Sequence, residues 1–181
     1  MKNSKSKKKR ILNASQIKVI LERFAREMTR DYASLDQVVF IGVRSRGPHI
    51  AKRLAEIIKK RAGKEIPVGE MDITLYRDDL NALLPGGTID HTKIPFDIAN
   101  KIVVLFDDVL HTGRTVRAAV DHLIDLGRPR MIHLAVMIDR GGRELPVAAN
   151  YVGKTIKLAA AGQVQVRLKE VDRADEVVVE S

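Results

Sequence analysis

The residues best placed to do chemistry lie in one stretch, VVLFDDVLHTGRT, residues 103–115. Adjacent acids, Asp107 and Asp108, follow four apolar residues, and after a spacer of Val109, Leu110 and His111 comes the run Thr112, Gly113, Arg114 and Thr115. Each part suits a phosphorylated ribose. The unpaired amides of a helix's first turn, backed by the positive end of its dipole, bind a phosphate. Gly113 lets the backbone approach closely, and the hydroxyls of Thr112 and Thr115 add donors. The paired carboxylates accept hydrogen bonds from two adjacent ribose hydroxyls, directly or around a Mg²⁺. The bland alternative, a strand, turn and capped helix with two solvated acids, needs all of these residues to coincide by chance.

The surrounding pattern supplies elements to position this stretch. Asn13 and Gln16 have capping-box spacing and predict a helix over residues 14–31, apolar at Ile17, Ile20, Leu21, Phe24, Ala25 and Met28. Residues 38–43 read as a buried strand that ends in Arg44, Ser45, Arg46 and Gly47. Pro48 suits the first turn of a second helix, and Gly63 terminates it. Alternation predicts a strand over residues 68–77, and the polar excursion over 78–92 reads as a flexible functional loop. A short strand at 103–106, a helix at 114–126 closed by Gly127, and strands at 131–139, 164–171 and 176–179 complete the pattern. Strands alternating with helices give an α/β fold, a parallel central sheet flanked by helices. Ligands in such sheets bind beyond the carboxyl ends of the strands, where residues 44–47, 107–115 and 139–143 converge.

Composition narrows the class. At 181 residues with 45% hydrophobic and 4% aromatic content, aliphatic side chains must fill the core of a single domain over residues 11–181. The absence of cysteine excludes disulfides and thiolate metal sites. With neither a membrane span nor a secretory signal in view, a soluble cytoplasmic protein is expected. The net charge of +9 favours an anionic partner. Much of it lies in residues 1–10, with Lys2, Lys5, Lys7, Lys8, Lys9 and Arg10, which read as a disordered basic tail.

Residues 103–115 resemble the motif by which phosphoribosyltransferases bind phosphoribosyl pyrophosphate (PRPP). Two further segments narrow the likeness: DITLYRDDL, residues 72–80, and DRGGRELPVAANYVGK, residues 139–154. Together the three resemble the PyrR family, pyrimidine operon regulators that are also uracil phosphoribosyltransferases, and the resemblance runs over residues 11–179. It implies the type I phosphoribosyltransferase fold with a small hood, over about residues 139–181, and a mobile active-site loop. It also implies that Asp107, Asp108, Arg46 and Arg77 are catalytic, the arginines on the pyrophosphate side and the acids on the ribose side with Mg²⁺. PRPP and UMP would meet Ser45, Arg46, Gly47 and residues 107–115, while Ile138, Asp139 and Arg140 present backbone groups to uracil. His111 stands where relatives usually carry Tyr, and a base-catalytic or bystander role both remain open.

The same resemblance implies leader-RNA binding in response to UMP, a regulatory ligand, and a homodimer or larger homo-oligomer. Arg143 and Lys154 match basic positions that contact RNA in the family, and Arg23 and Arg26 fall on one side of the first helix. Glu22, Gly142 and Ala148 depart from the family's Thr, His and Arg, which leaves open a uracil phosphoribosyltransferase without specific RNA regulation. A purine phosphoribosyltransferase is a third reading, opposed by the residues of the hood and by the absence of an acid at position 111.

Overall fold

The structure, a computed structural model, describes residues 8–74, 91–158 and 162–180. Arg77, most of the expected active-site loop, and Lys2, Lys5 and Lys7 of the basic tail lie outside the described residues. In chain order the elements are β1 (Lys8–Asn13), α1 (Ala14–Asp31), β2 (Val38–Val43), α2 (Gly47–Ala62), β3 (Val68–Met71), β4 (Ile102–Leu110), α3 (Arg114–Leu126), β5 (Met131–Asp139), β6 (Tyr151–Thr155), β7 (Gln163–Arg167), α4 (Lys169–Asp172) and β8 (Glu176–Glu180).

Five strands form the central sheet in the order β3-β2-β4-β5-β6, every neighbouring pair parallel. Its middle strands read as unbroken apolar runs because both faces are covered. Val38, Phe40, Val104 and Phe106 face the helix pair α1 and α2, while Val39, Ile41, Val103 and Leu105 face α3. Phe40 and Phe106 meet edge to face, ring centroids 4.8 Å apart, a geometry worth about 0.5–1.5 kcal/mol beyond the area it buries. Helix α1 begins with the expected reciprocal capping box, Asn13 Oδ1 accepting from the Gln16 amide at 3.0 Å and Gln16 Oε1 from the Asn13 amide at 2.9 Å. Among the described residues, no helix is long and apolar enough to cross a membrane.

A second sheet, antiparallel in the order β1-β8-β7, joins residues from both ends of the chain. Three differences from the expected elements follow. Lys8, Lys9 and Arg10, read as tail, form half of β1, because β8 offers them a ladder of backbone partners and Lys8 reaches Glu180 at 2.7 Å. The strand expected over 164–171 stops at Arg167, and α4 follows, its turn closed by Asp172 accepting from the Leu168 amide at 3.0 Å. Finally, β6, expected in the hood, is a strand of the central sheet, with Tyr151 paired to Ala135.

The strand expected over 68–77 is regular only through Met71, after which Asp72 turns back on Thr74 through its side chain. By contrast, β4 is longer than expected, reaching Leu110 because Asp107, Val109 and Leu110 continue the ladder with β5.

Candidate active site

The extension of β4 places the acids within the strand, where neighbouring side chains point to opposite faces. Asp107 is buried and its Oδ1 accepts from the Asp108 amide at 2.8 Å. Asp108 is half-buried, with Oδ1 accepting from the Val109 amide at 2.9 Å. Its Oδ2 lies 3.9 Å from Arg46 Nη1, an ion pair across the sheet's carboxyl edge. Residues 44–47 lie at that edge because β2 runs parallel to β4 and ends beside Phe106, just before the acids. The Arg44–Ser45 peptide is cis. Only glycine fits at position 47, where a Cβ would sit 2.3 Å from the Phe106 carbonyl oxygen.

Arg46 is less available than the sequence suggests. Its Nε and Nη2 donate to the two oxygens of Asp172, at 3.0 and 2.7 Å. Two turns along α2, Arg53 grips Glu170 through Nε and Nη2 at 2.8 and 2.6 Å and Asp175 at 2.7 Å. The two arginines thus attach α4 and the turn after it to the residues 44–47 loop and to α2. Nothing local in the sequence marks Asp172 as a site residue, since its partner lies 126 positions away.

The loop after β4 turns into α3 at Gly113, which has φ +95° and no side-chain cap, so the helix's first amides carry no side-chain acceptor from Gly113. Thr112 Oγ1 lies 3.3 Å from the Arg114 amide, and Thr115 is half-buried. The side chains of Leu110 and Val109 pack into the core on opposite faces of the sheet. His111 is half-buried, and burial, then the charges of Arg140 and Arg143, hold its imidazole below the ordinary histidine value against the pull of Glu144.

Residues 138–147 lie alongside. Ile138 is buried in β5, and the Arg140 amide donates to the Leu110 carbonyl at 3.1 Å. Arg140 Nε is buried with no hydrogen-bond partner among the described residues. Burial raises the Asp139 carboxyl, but the Arg143 and Gly141 donors outweigh it and hold the group below the usual carboxylate value. The expected RNA contacts divide into two kinds. Arg26 and Lys154 are exposed. Arg23 donates through Nη2 to the carbonyls of Val152 and Gly153 at 2.7 and 3.0 Å, and Arg143 is held among five acceptors inside the loop. No group of three or more His, Cys, Asp or Glu side chains among the described residues is arranged to hold a metal ion.

Comparison with known proteins agrees with this geometry. The phosphoribosyl transferase domain family matches residues 7–170. A bifunctional protein PyrR of Chloroflexus aurantiacus is 52% identical over 171 residues, covering 94% of each chain. That of Pelotomaculum thermopropionicum is 48% identical over 172 residues, 95% of each, and that of Thermus thermophilus 46% over 170 residues, 94% of each. Among solved structures, the hypoxanthine phosphoribosyltransferase of Trypanosoma cruzi superposes with TM-score 0.73 at 17% identity, over 94% of this chain and 95% of that one. Its Staphylococcus aureus counterpart gives 0.68 at 20%, over 94% and 90%. At such identity the two structures speak for the fold alone, whereas the sequence relatives and the matched domain speak for descent: the chain belongs to the phosphoribosyl transferase domain family and, within it, to the bifunctional PyrR proteins.

Proposed function

We propose that the chain transfers the phosphoribosyl group of PRPP to uracil, forming UMP and pyrophosphate, and that UMP tunes its binding to leader RNA of pyrimidine genes. The supporting observation is the meeting of three loops at one sheet edge, residues 44–47, 110–115 and 138–147, with the Arg140 amide joined to the Leu110 carbonyl and the Glu144 amide to the Thr112 carbonyl. A 5-phosphate sits at the start of α3, Asp107 and Asp108 take the ribose hydroxyls, and residues 138–140 face the base. In the displacement, the bond from the anomeric carbon to pyrophosphate breaks and the bond to N1 of uracil forms, with the N1 proton lost. Arg46, and Arg77 outside the described residues, stabilise the departing charge.

Two hard carboxylate donors without a third suit a Mg²⁺ that takes its other ligands from water and PRPP. Asp107 and Asp108, whose side chains point to opposite faces, would hold that ion indirectly, through water or the ribose hydroxyls, and the ion would supply charge neutralisation to the leaving group. The assembly is a homodimer or larger, in keeping with Ile124 and Leu126 at the end of α3 and Met131 at the start of β5, which are large, apolar and exposed.

Competition between uracil and hypoxanthine for PRPP tests the reaction. Uracil turnover is expected, and preference for hypoxanthine would overturn it. Titration of a pyrimidine-gene leader RNA with and without UMP, against an unrelated RNA of equal length, tests the regulation. The engagement of Arg23 and Arg143 inside the protein favours a second reading, in which the enzyme lacks selective RNA binding; equal binding of both RNAs would establish it.

A further inference from the structure

We propose that Arg143 is a positioning residue of the active site, a bracket that locks the base-facing loop to the phosphate-binding loop, and not a phosphate contact for RNA. The inference rests on the uracil phosphoribosyltransferase reading above. A guanidinium offers five hydrogens in a planar fork. At Arg143, Nε donates to the Val147 carbonyl at 3.0 Å, and Nη1 donates to the His111 carbonyl at 2.7 Å with the Leu110 carbonyl at 3.4 Å. On the other side, Nη2 donates to Asp139 Oδ2 at 2.6 Å, while Asp139 Oδ1 accepts from the Gly141 amide at 2.9 Å.

These acceptors belong to two different strand exits. Leu110 and His111 end β4 and begin the phosphate loop; Asp139 ends β5, and Val147 lies beyond the base-facing turn. Backbone bonds beside the bracket repeat the link, with the Glu144 and Leu145 amides both donating to the Thr112 carbonyl, at 2.9 and 3.1 Å. Arg114 adds a third tie through Glu144 at 2.7 Å. The Arg143 side chain is only 23% exposed, and most of its donors are already engaged, so a surface phosphate would have to compete with these acceptors. With the bracket in place, the base and the anomeric carbon are held at a fixed separation, which an in-line displacement requires.

Lysine separates the two roles. Its ammonium keeps the positive charge that a phosphate contact needs, but a point charge with three donors cannot span acceptors on two strand exits. We expect Arg143→Lys to lower both kcat/KM for PRPP and affinity for UMP by about tenfold to a hundredfold, the cost of misplacing reacting groups by a fraction of an ångström. Arg143→Gln, read by the same two measurements, covers failure of the lysine variant to fold. Alongside these, Arg143→Ala should leave the slope of log affinity for leader RNA against log salt unchanged. Wild-type kinetics and UMP affinity in Arg143→Lys, or a slope reduced by about one in Arg143→Ala, would overturn the inference. Wild-type protein that turns over no uracil would instead refute the assigned reaction, and the bracket would then be read from the affinity of the same variants for PRPP.

Discussion

Asp107 and Asp108 are neighbours in sequence but separate in environment, one buried against the α3 side and the other open toward Arg46. The two carboxylates therefore point in different directions, and neither acid substitutes for the other. Asp108→Asn keeps the volume and removes the charge, so turnover should fall by about a hundredfold or more, as for loss of other preorganised charge-stabilising groups. His111→Phe should change turnover by less than about threefold, under about 1 kcal/mol of barrier. Comparable loss in the two variants, measured as initial rates of UMP formation, would refute this ranking. Because burial and Arg140 lower the His111 pKa, its imidazole is already neutral at pH 7, and the rate profile should show no inflection from it between pH 7 and 8.

At the scale of elements, α1 is held by a cap remote from the chemistry. Asn13→Ala should cost about 1 kcal/mol and lower the melting temperature by about 2–4 °C, with kcat unchanged. A second expectation concerns β5, where His133 stacks on Tyr32 and shares a 2.7 Å hydrogen bond with its hydroxyl. Burial holds the His133 pKa below its ordinary value of 6.5. The folded state therefore binds fewer protons than the unfolded chain just below that value, and its stability is complete above about pH 6.5 and declines as pH falls further. Melting curves from pH 8 to pH 5.5 should show this decline, and His133→Gln should flatten it. Such elements differ in how far the sequence reveals them. The cap of α1, the strand at 38–43 and the helix after Gly113 are legible because their signals are local and periodic. The first half of β1 is not, since Lys8, Lys9 and Arg10 are strand only by virtue of residues 178–180. Arg46 illustrates the same limit in the site: its loop can be read from its neighbours, but the grip of Asp172 comes from the far end of the chain. Arg143 stands out in the sequence as a charge in the loop after β5, but spacing does not show the carbonyls that fold around it.

Over the whole molecule, the net charge of +9 overstates what is available to nucleic acid. Arg23 is bound to the edge of β6, whereas Arg26 and Lys154 stay exposed. Joint replacement of Arg26 and Lys154 by Ala should reduce the salt slope of RNA binding by about two, one for each phosphate left unneutralised. Arg23→Ala should leave the slope alone while loosening that edge; filter-binding titrations over a range of salt would decide. The small sheet carries a consequence for biosynthesis. Its outer strand β1 is synthesised well before its central strand β8, residues 176–180, so the backbone edge of β1 stays open until β8 follows. An unpaired edge invites association with other nascent chains, and lysine-rich sequence is a defence against it. Lys8, Lys9 and Arg10, all exposed, are placed to guard that edge until β8 arrives.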